Sequence, residues 1–179
     1  MKLLYLALIL LLLTSCNSRK KEIGRIVRAW KNKEVVFPDN LETKIFGRDT
    51  CCPDLWKAKY KILHYVDTSG CSECRLQLYD WKLFKEQTDS LGLDLSFLFV
   101  AWVHNYEELE TLQVINQCDI PFLYDRDGQM MELNRFPVHN NLQTFLLDSA
   151  NRVVLIGNPV RNLPLRQLYF KMIREENKE

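Results

Sequence analysis

Two cysteines separated by two residues, Cys71 and Cys74, stand in the stretch DTSGCSEC, where a short apolar run gives way to helical spacing. Thiols at this spacing can exchange electrons as a dithiol and a disulfide, staple a loop, or supply half of a zinc site. A zinc site wants four ligands, but Cys51 and Cys52 are adjacent, too cramped for a second chelating pair, and the three histidines are scattered. A staple over so short a loop removes little chain entropy. Redox exchange is therefore the favoured chemistry, and no metal or other cofactor is predicted.

The position of each thiol suggests its role. At the start of a helix the unsatisfied N–H groups and the helix dipole stabilise an anion, so Cys71 is the candidate nucleophile. Cys74 is less than one helical turn further on, and it can form a disulfide with Cys71 and resolve a mixed disulfide. Glu73 lies between them, and its charge favours the helix start but opposes a nearby thiolate. The sequence therefore leaves the redox potential open.

Alternating elements surround the pair. The run KYKILHYVD (59–67) is typical of a buried strand, and LDLSFLFVAWV (93–103) is typical of a central parallel strand. A helix is predicted from Cys71 to about Leu91, with Leu78, Trp81 and Phe84 as its inward stripe. Asn105, with Glu108 three residues later, predicts a capped helix whose apolar positions are Leu109, Leu112 and Ile115. Further expected elements are an N-terminal helix around 23–30, extended pieces at 34–38 and 40–47, a strand in IPFLYD, a hairpin over 143–159 and a last helix capped by Asn162. Consecutive βαβ units followed by a hairpin predict an α/β fold with a mixed central sheet between helices.

The N-terminus resembles an export signal. A short basic start and the apolar run Leu3 to Leu13 are too short to span a membrane and fit a signal peptide. The residues LTSC, ending at Cys16, resemble a bacterial lipobox, which implies lipid attachment at Cys16; an ordinary signal peptide is the alternative. Asn17 follows where an Asp would resemble an inner-membrane retention signal, so an outer-membrane anchor facing the periplasm is expected. The predicted organisation is a signal over 1–15, an anchor and tether with a short helix over 16–33, and one domain over 34–179.

Composition limits the classes of partner. The 179 residues are 47% hydrophobic and 26% charged, enough for one packed core, and the net charge is +1. No basic stripe stands out, so nucleic acid is not an expected partner. The expected partners are periplasmic protein thiols or a membrane redox partner, with the membrane itself held through the lipid.

A family resemblance rests on ILHYVDTSGCSECRLQL followed far downstream by QTFLLDSANRVVLIG. Together they look like the TlpA-type branch of the thioredoxin superfamily, which includes bacterial envelope thiol–disulfide proteins. The resemblance covers roughly residues 34 to 173. It implies a thioredoxin-like three-layer fold, with Cys71 as attacking thiolate and Cys74 as resolving thiol.

The chain departs from that resemblance at several positions. Leu142 stands where such proteins carry a cis-proline facing the two cysteines, and a trans peptide bond before it is expected, because a cis bond there costs about 2.5–4 kcal/mol. Gly70 stands where related proteins usually have a Trp. Tyr65 stands where many of them bury an acid that deprotonates the resolving thiol, and we expect Tyr65 to be a packing residue instead. His139 is expected on a loop opposite Cys71. It could accept a proton there, but a solvent-exposed histidine without a catalytic role is the favoured interpretation.

A second family offers an alternative. Thr68 and Cys71 resemble the T-x-x-C of peroxiredoxins, in which Thr orients peroxide against one reactive cysteine. The Pro and the Arg of that fuller motif are replaced by His64 and Leu142, so peroxidase chemistry is the second choice.

Three further cysteines have no assigned role. Cys118 is expected to stay buried on its helix without pairing, and one of Cys51 and Cys52 is expected to be exposed in a turn, where either could relay electrons to Cys71. Two classes of function remain: a lipid-anchored thiol–disulfide oxidoreductase, or a thioredoxin-like binding lipoprotein whose disulfide is only a brace.

Overall fold

Seven strands pair into one mixed sheet. The structure is a computed structural model that describes residues 20–67 and 76–175. In chain order the strands are β1 (Glu42–Ile45), β2 (Arg48–Asp49), β3 (Tyr60–Val66), β4 (Leu95–Ala101), β5 (Phe122–Tyr124), β6 (Thr144–Leu147) and β7 (Val153–Ile156). Their order across the sheet is β2-β1-β5-β4-β3-β6-β7. β3, β4 and β5 are parallel, whereas β1, β6 and β7 are each antiparallel to a neighbour, which confirms the predicted α/β fold with a mixed sheet and a hairpin.

Helices follow the strands much as the caps predicted. They are α1 (helical over residues 20–30), α2 (Leu78–Ser90), α3 (Tyr106–Asn116), α4 (Gln129–Asn134) and α5 (Leu163–Glu175). Asn105 caps α3 by accepting the Glu108 backbone N–H at 3.2 Å, and Asn162 caps α5 by accepting that of Leu165 at 3.0 Å. In the described residues, no helix is both long and apolar enough to cross a bilayer.

Several predicted details differ from the structure. Ile115 is 69% exposed, because α3 instead buries Gln113, whose side-chain Nε2 donates to the Ile120 carbonyl at 2.9 Å. Residues 34–38 form no strand, and only Glu34 makes an isolated bridge, to Arg152. The short helix α4 was not predicted.

Alternation along the strands divides the core into two layers. Tyr60, Ile62 and Val66 of β3 face the layer shared with α2, α3 and α5. Leu63 and Tyr65 face the opposite layer, which includes α1 and α4. A residue's parity in β3 therefore decides which helices it contacts.

The N-terminal helix is fastened to this core. The ring of Trp30, at the end of α1, lies 5.7 Å from that of Phe136 and 4.9 Å from that of Phe145. The backbone N–H of Asn32 donates to the Val153 carbonyl at 2.8 Å, and Lys33 donates through Nζ to the Asn134 carbonyl at 2.7 Å. The packed unit therefore takes in residues 30–33, N-terminal to the boundary predicted at residue 34.

Candidate functional site

The segment that carries the two site cysteines connects β3 to α2. Cys71 and Cys74 fall within 68–75 and lie outside the described residues, as does Cys16. The flanks of the segment are described. The Val66 carbonyl, at the last residue of β3, accepts the Trp102 backbone N–H at 2.9 Å. The segment therefore leaves from the carboxyl edge of the parallel strands, where ligand sites form in open α/β sheets.

The helix predicted over 71–91 is interrupted at Gln77, and its first part, residues 71–75, lies outside the described residues. α2 begins at Leu78, and Gln77 just before it has a left-handed backbone with φ 47°. Leu76 is also helical, so Gln77 interrupts the predicted helix of 71–91. The predicted stripe does face inward, because Leu78, Trp81 and Phe84 are all at most 2% exposed.

A buried histidine is the residue that sequence reasoning missed. His64 is 5% exposed, and its Nδ1 lies 2.9 Å from the hydroxyl of the buried Thr144. Its ring centroid lies 5.3 Å from that of Trp81 and 5.1 Å from that of Phe99. His64 therefore belongs to the face of β3 that contacts α2. The signal was its parity with Ile62 and Val66 on an otherwise apolar face.

The loop opposite the segment is held closely to β3. Leu142 ends a short 3-10 helix (Asn140–Leu142), is 9% exposed and donates its N–H to the His139 carbonyl at 2.8 Å. The Gln143 carbonyl accepts the Tyr65 N–H at 2.9 Å, and its side-chain Nε2 donates to the Pro137 carbonyl at 3.1 Å. The described residues contain no cis peptide bond, so the bond before Leu142 is trans, as expected.

A small cavity lies between these elements. It has a volume of about 30 Å³ and is lined by His64, Gln77, Asn141, Asn158 and Arg161, among others. That volume suits about one water molecule. The Asn158 side-chain Nδ2 lies 3.5 Å from the Gln77 side-chain oxygen, and this contact connects the β7–α5 loop to the start of α2. Arg161, which the sequence did not single out, also lines this cavity.

Two other singled-out residues take the simpler role. Tyr65 is 1% exposed and packs against Phe136 at 4.8 Å, on the face away from α2, so it is a core residue as expected. His139 is exposed, and its Nε2 lies 3.3 Å from a carboxylate oxygen of Glu22 in α1. Both agree with their sequence-based interpretations.

The remaining cysteines gather at the other edge of the sheet. No disulfide involves Cys51, Cys52 or Cys118 in the described part of the chain. Cys51 is exposed and Cys52 is half-buried, and both line a cavity of about 620 Å³ beside the first residues of β4. Cys118 follows α3 rather than lying on it, and burial raises the pKa of its thiol to about 11. An electron relay from Cys51 or Cys52 would have to span the length of β3, about 20 Å at 3.3 Å per residue.

Comparisons with known proteins bear on the fold. No protein-family model matches the chain, and no curated protein matches it. Solved structures do match. The thioredoxin domain of a thiol-disulfide oxidoreductase from Bacteroides vulgatus superposes with a TM-score of 0.55 at 14% identity, covering 77% of this chain and 96% of that one. This chain has a thioredoxin-like fold.

Two further solved structures also match. StoA from Bacillus subtilis has a TM-score of 0.52 at 22% identity, covering 74% of this chain and 98% of its own. A cysteine-to-serine mutant of peroxiredoxin Q from Xanthomonas campestris has a TM-score of 0.56 at 12% identity, covering 82% of this chain and 99% of its own. At these identities the comparisons give the fold alone, and the function must be argued from the site.

Proposed function

We propose that this protein is a lipid-anchored envelope thiol–disulfide oxidoreductase that exchanges disulfides through Cys71 and Cys74. The observation that carries the proposal is the position of the C-x-x-C segment. In a thioredoxin-like fold it connects β3 to α2, and one cavity is lined by the buried His64 of β3, by Gln77 just before α2 and by Arg161. Several structures of similar fold are named as thiol-disulfide oxidoreductases or interchange proteins, which supports this class of reaction.

The reaction needs two successive exchanges. In the reducing direction the Cys71 thiolate attacks a substrate disulfide, forms an S–S bond to one substrate sulfur and releases the other as a thiolate. The Cys74 thiolate then attacks the Cys71 sulfur, which forms the Cys71–Cys74 disulfide and releases the second substrate thiol. The substrate gains two electrons and two protons, and the protein loses them. The oxidising direction is the reverse.

The second exchange requires a proton acceptor, because Cys74 must lose its proton before it attacks. His64 is buried on the α2 face of β3, two residues before the strand ends, and its imidazole can carry a proton. Its Nδ1 is held by Thr144, which fixes the ring, and imidazole exchanges protons near neutral pH. We assign His64 the role of proton acceptor and donor for the thiol pair.

One observation favours a second candidate, a peroxiredoxin-like peroxidase. Leu142, at the position of the peroxiredoxin Arg, has no guanidinium, but Arg161 supplies one to the site cavity. A cation in that place could orient peroxide against Cys71. A third hypothesis, a binding lipoprotein with a structural disulfide, predicts neither disulfide exchange nor peroxide reduction.

The anchor completes the proposal. Attachment of lipid at Cys16 would hold the domain at the envelope membrane, on the outer membrane facing the periplasm, where partner thiols reside. The partners would be periplasmic protein thiols or a membrane redox protein.

The midpoint potential of the Cys71–Cys74 pair tests the exchange reaction. It is measured by equilibrating the protein in graded dithiothreitol buffers and counting alkylated thiols by mass. A value between about −120 and −270 mV is expected for a working exchange pair. A value below about −300 mV would indicate a structural disulfide and would contradict the proposal. Peroxide consumption, measured on the same samples, distinguishes a peroxidase from a thiol–disulfide oxidoreductase.

A further inference from the structure

An apolar groove runs between the first and last helices. It has a volume of about 630 Å³ and is lined by Ile23 and Val27 of α1, Leu165 and Leu168 of α5, and Leu142 of the loop opposite the cysteines. Ile23, Val27 and Leu168 are 37%, 39% and 41% exposed. These aliphatic side chains therefore form one water-accessible patch drawn from two helices.

Basic side chains adjoin this patch on α1. Successive residues of a helix are separated by about 100° around its axis. Ile26 and Trp30 point into the core, Ile23 and Val27 lie next to them, and the following sector is basic. Four of the five charged residues in 20–30 are basic and exposed, namely Lys20, Lys21, Arg25 and Arg28. An apolar stripe bordered by Lys and Arg is the pattern of helices that lie on a membrane surface.

The sequence places this helix close to the proposed anchor. Cys16 precedes Lys20 by four residues, a distance that the chain spans in at most about 14 Å when fully extended. A lipid on Cys16 would thus hold α1 within one helix diameter or so of the bilayer. At that range, headgroups are the surface that the patch meets most often.

We infer that the groove between α1 and α5 rests on the bilayer surface. Ile23, Val27 and Leu168 enter the interface, and the basic residues of α1 contact anionic headgroups. This inference rests on the lipid attachment in the proposed function.

Membrane contact here would orient the thiol site. Asn141, Asn158 and Arg161 line both the groove and the small cavity that His64 and Gln77 also line. The site would therefore open next to the membrane surface. It would meet thiols held close to the membrane sooner than thiols of freely diffusing proteins.

Photolabelling tests this contact. The full-length protein, purified with its lipid, is reconstituted into phosphatidylcholine vesicles with and without phosphatidylglycerol, each containing a phosphatidylcholine with a diazirine near its glycerol. We expect label in residues 20–30 and 163–168 and none in α3, with more label when phosphatidylglycerol is present. The double substitution Ile23→Ser/Val27→Ser should reduce that label about tenfold, the order expected when two partly exposed aliphatic side chains leave an apolar contact.

A matched control comes from α3. Val114 and Ile115 are 60% and 69% exposed and lie outside the groove, so Val114→Ser/Ile115→Ser should leave the labelling unchanged. Equal label in α3 and α1, or no label in either groove helix of acylated protein, would overturn the inference. Crosslinking of the groove in cells to a protein instead of to lipid would also overturn the inference. The mass of the N-terminal peptide reports acylation and thiol exchange reports the redox proposal, so an unacylated but active protein overturns the membrane contact alone.

Discussion

The two edges of the sheet both hold cysteines, but in different surroundings. At the carboxyl edge of β3, from which the chain leads to the cysteines, a cavity of about 30 Å³ is lined by His64 and Arg161. At the amino edge, Cys51 and Cys52 border a cavity of about 620 Å³. Among the described residues that line the larger cavity there is no imidazole. Cavity size, the number of thiols and a nearby cation do not distinguish the edge proposed for thiol chemistry, because Lys57 and Lys85 also line the larger cavity. The imidazole of His64 does distinguish it.

Topology explains the difference. At the carboxyl edge of β3, the loop that leaves β3 meets the loop that enters the antiparallel β6 and the loop that leaves β7, so side chains distant in sequence come together. At the amino edge, Cys52 is followed by a short 3-10 helix (Pro53–Trp56), which is held to β4 by the Ser96 hydroxyl donating to the Leu55 carbonyl at 2.6 Å. This hydrogen bond fastens the 3-10 helix to β4 and does not involve a thiol.

The largest expected effect comes from removing a thiol of the C-x-x-C pair, compared with removing both thiols of the Cys51–Cys52 turn. Cys71→Ser should lower the disulfide-exchange rate by at least about 1000-fold, because serine supplies no thiolate at neutral pH. Cys74→Ser should instead accumulate a mixed disulfide through Cys71, visible by mass. The double substitution Cys51→Ser/Cys52→Ser is the control, and its exchange rate should stay within about twofold of the native value. A comparable loss in the control would show that the amino edge takes part in the chemistry.

Thiol reactivity at the amino edge should itself vary widely. Burial raises the pKa of Cys118 from 9.0 to about 11, which lowers its thiolate fraction about 100-fold below pH 9, and burial also blocks access. Iodoacetamide at pH 8 should therefore modify the exposed Cys51 at least about 100-fold faster than Cys118. Peptide mass mapping over time measures both rates. Similar rates would mean that the Cys118 region opens readily.

The same thiol links stability to pH. Because the pKa of Cys118 is higher in the folded protein than its ordinary value of 9.0, the unfolded chain ionises first. Its stabilising contribution is complete below pH 9 and is lost as the pH rises towards 11, by up to about 2 kcal/mol. Urea unfolding of the native protein and of Cys118→Ala at pH 8 and 10.5 should show a smaller pH-dependent loss for the variant. Equal losses would assign the pH dependence to other groups.

His64 should matter through the pH profile as well as the rate. His64→Gln preserves a polar group beside Thr144 but removes the titrating imidazole, and it should lower exchange at pH 7 about tenfold. The pH–rate profile should also lose the step that the imidazole contributes. His139→Gln is the matched control, since His139 is exposed beside Glu22, and it should change neither. A native profile in correctly folded His64→Gln would remove His64 from the reaction.

What the sequence could predict follows from how local each signal is. The caps at Asn105 and Asn162, the inward stripe of α2 and the hairpin over 143–159 depend on near neighbours, and the structure confirms them. Gln77 was missed, because its left-handed backbone has no signal in residue type.

The candidate site was harder to predict. Its C-x-x-C spacing is visible in the sequence, but Arg161 and Asn158 reach the cavity from a loop more than eighty residues beyond Cys74. In the sequence, His64 stood out only because it occupies the position of the Pro in the peroxiredoxin motif. The structure shows that His64 lies on the face of β3 that packs against α2, where its ring contacts that of Trp81.

The smallest expected effect isolates the cation. Arg161→Gln should slow alkylation of Cys71 at pH 7 about threefold, because a nearby positive charge stabilises a thiolate but solvent screens an exposed guanidinium. Raising the salt concentration should shrink the difference between the variant and the native protein, since the contribution is electrostatic. Arg152→Gln is the control: Arg152 is also exposed, lies in the β6–β7 turn outside the site cavity and pairs with Asp148 at 3.1 Å, and its loss should leave Cys71 unaffected. If both variants slow alkylation equally, the effect reflects net charge, and the proximity of Arg161 to the thiol site has no separate role.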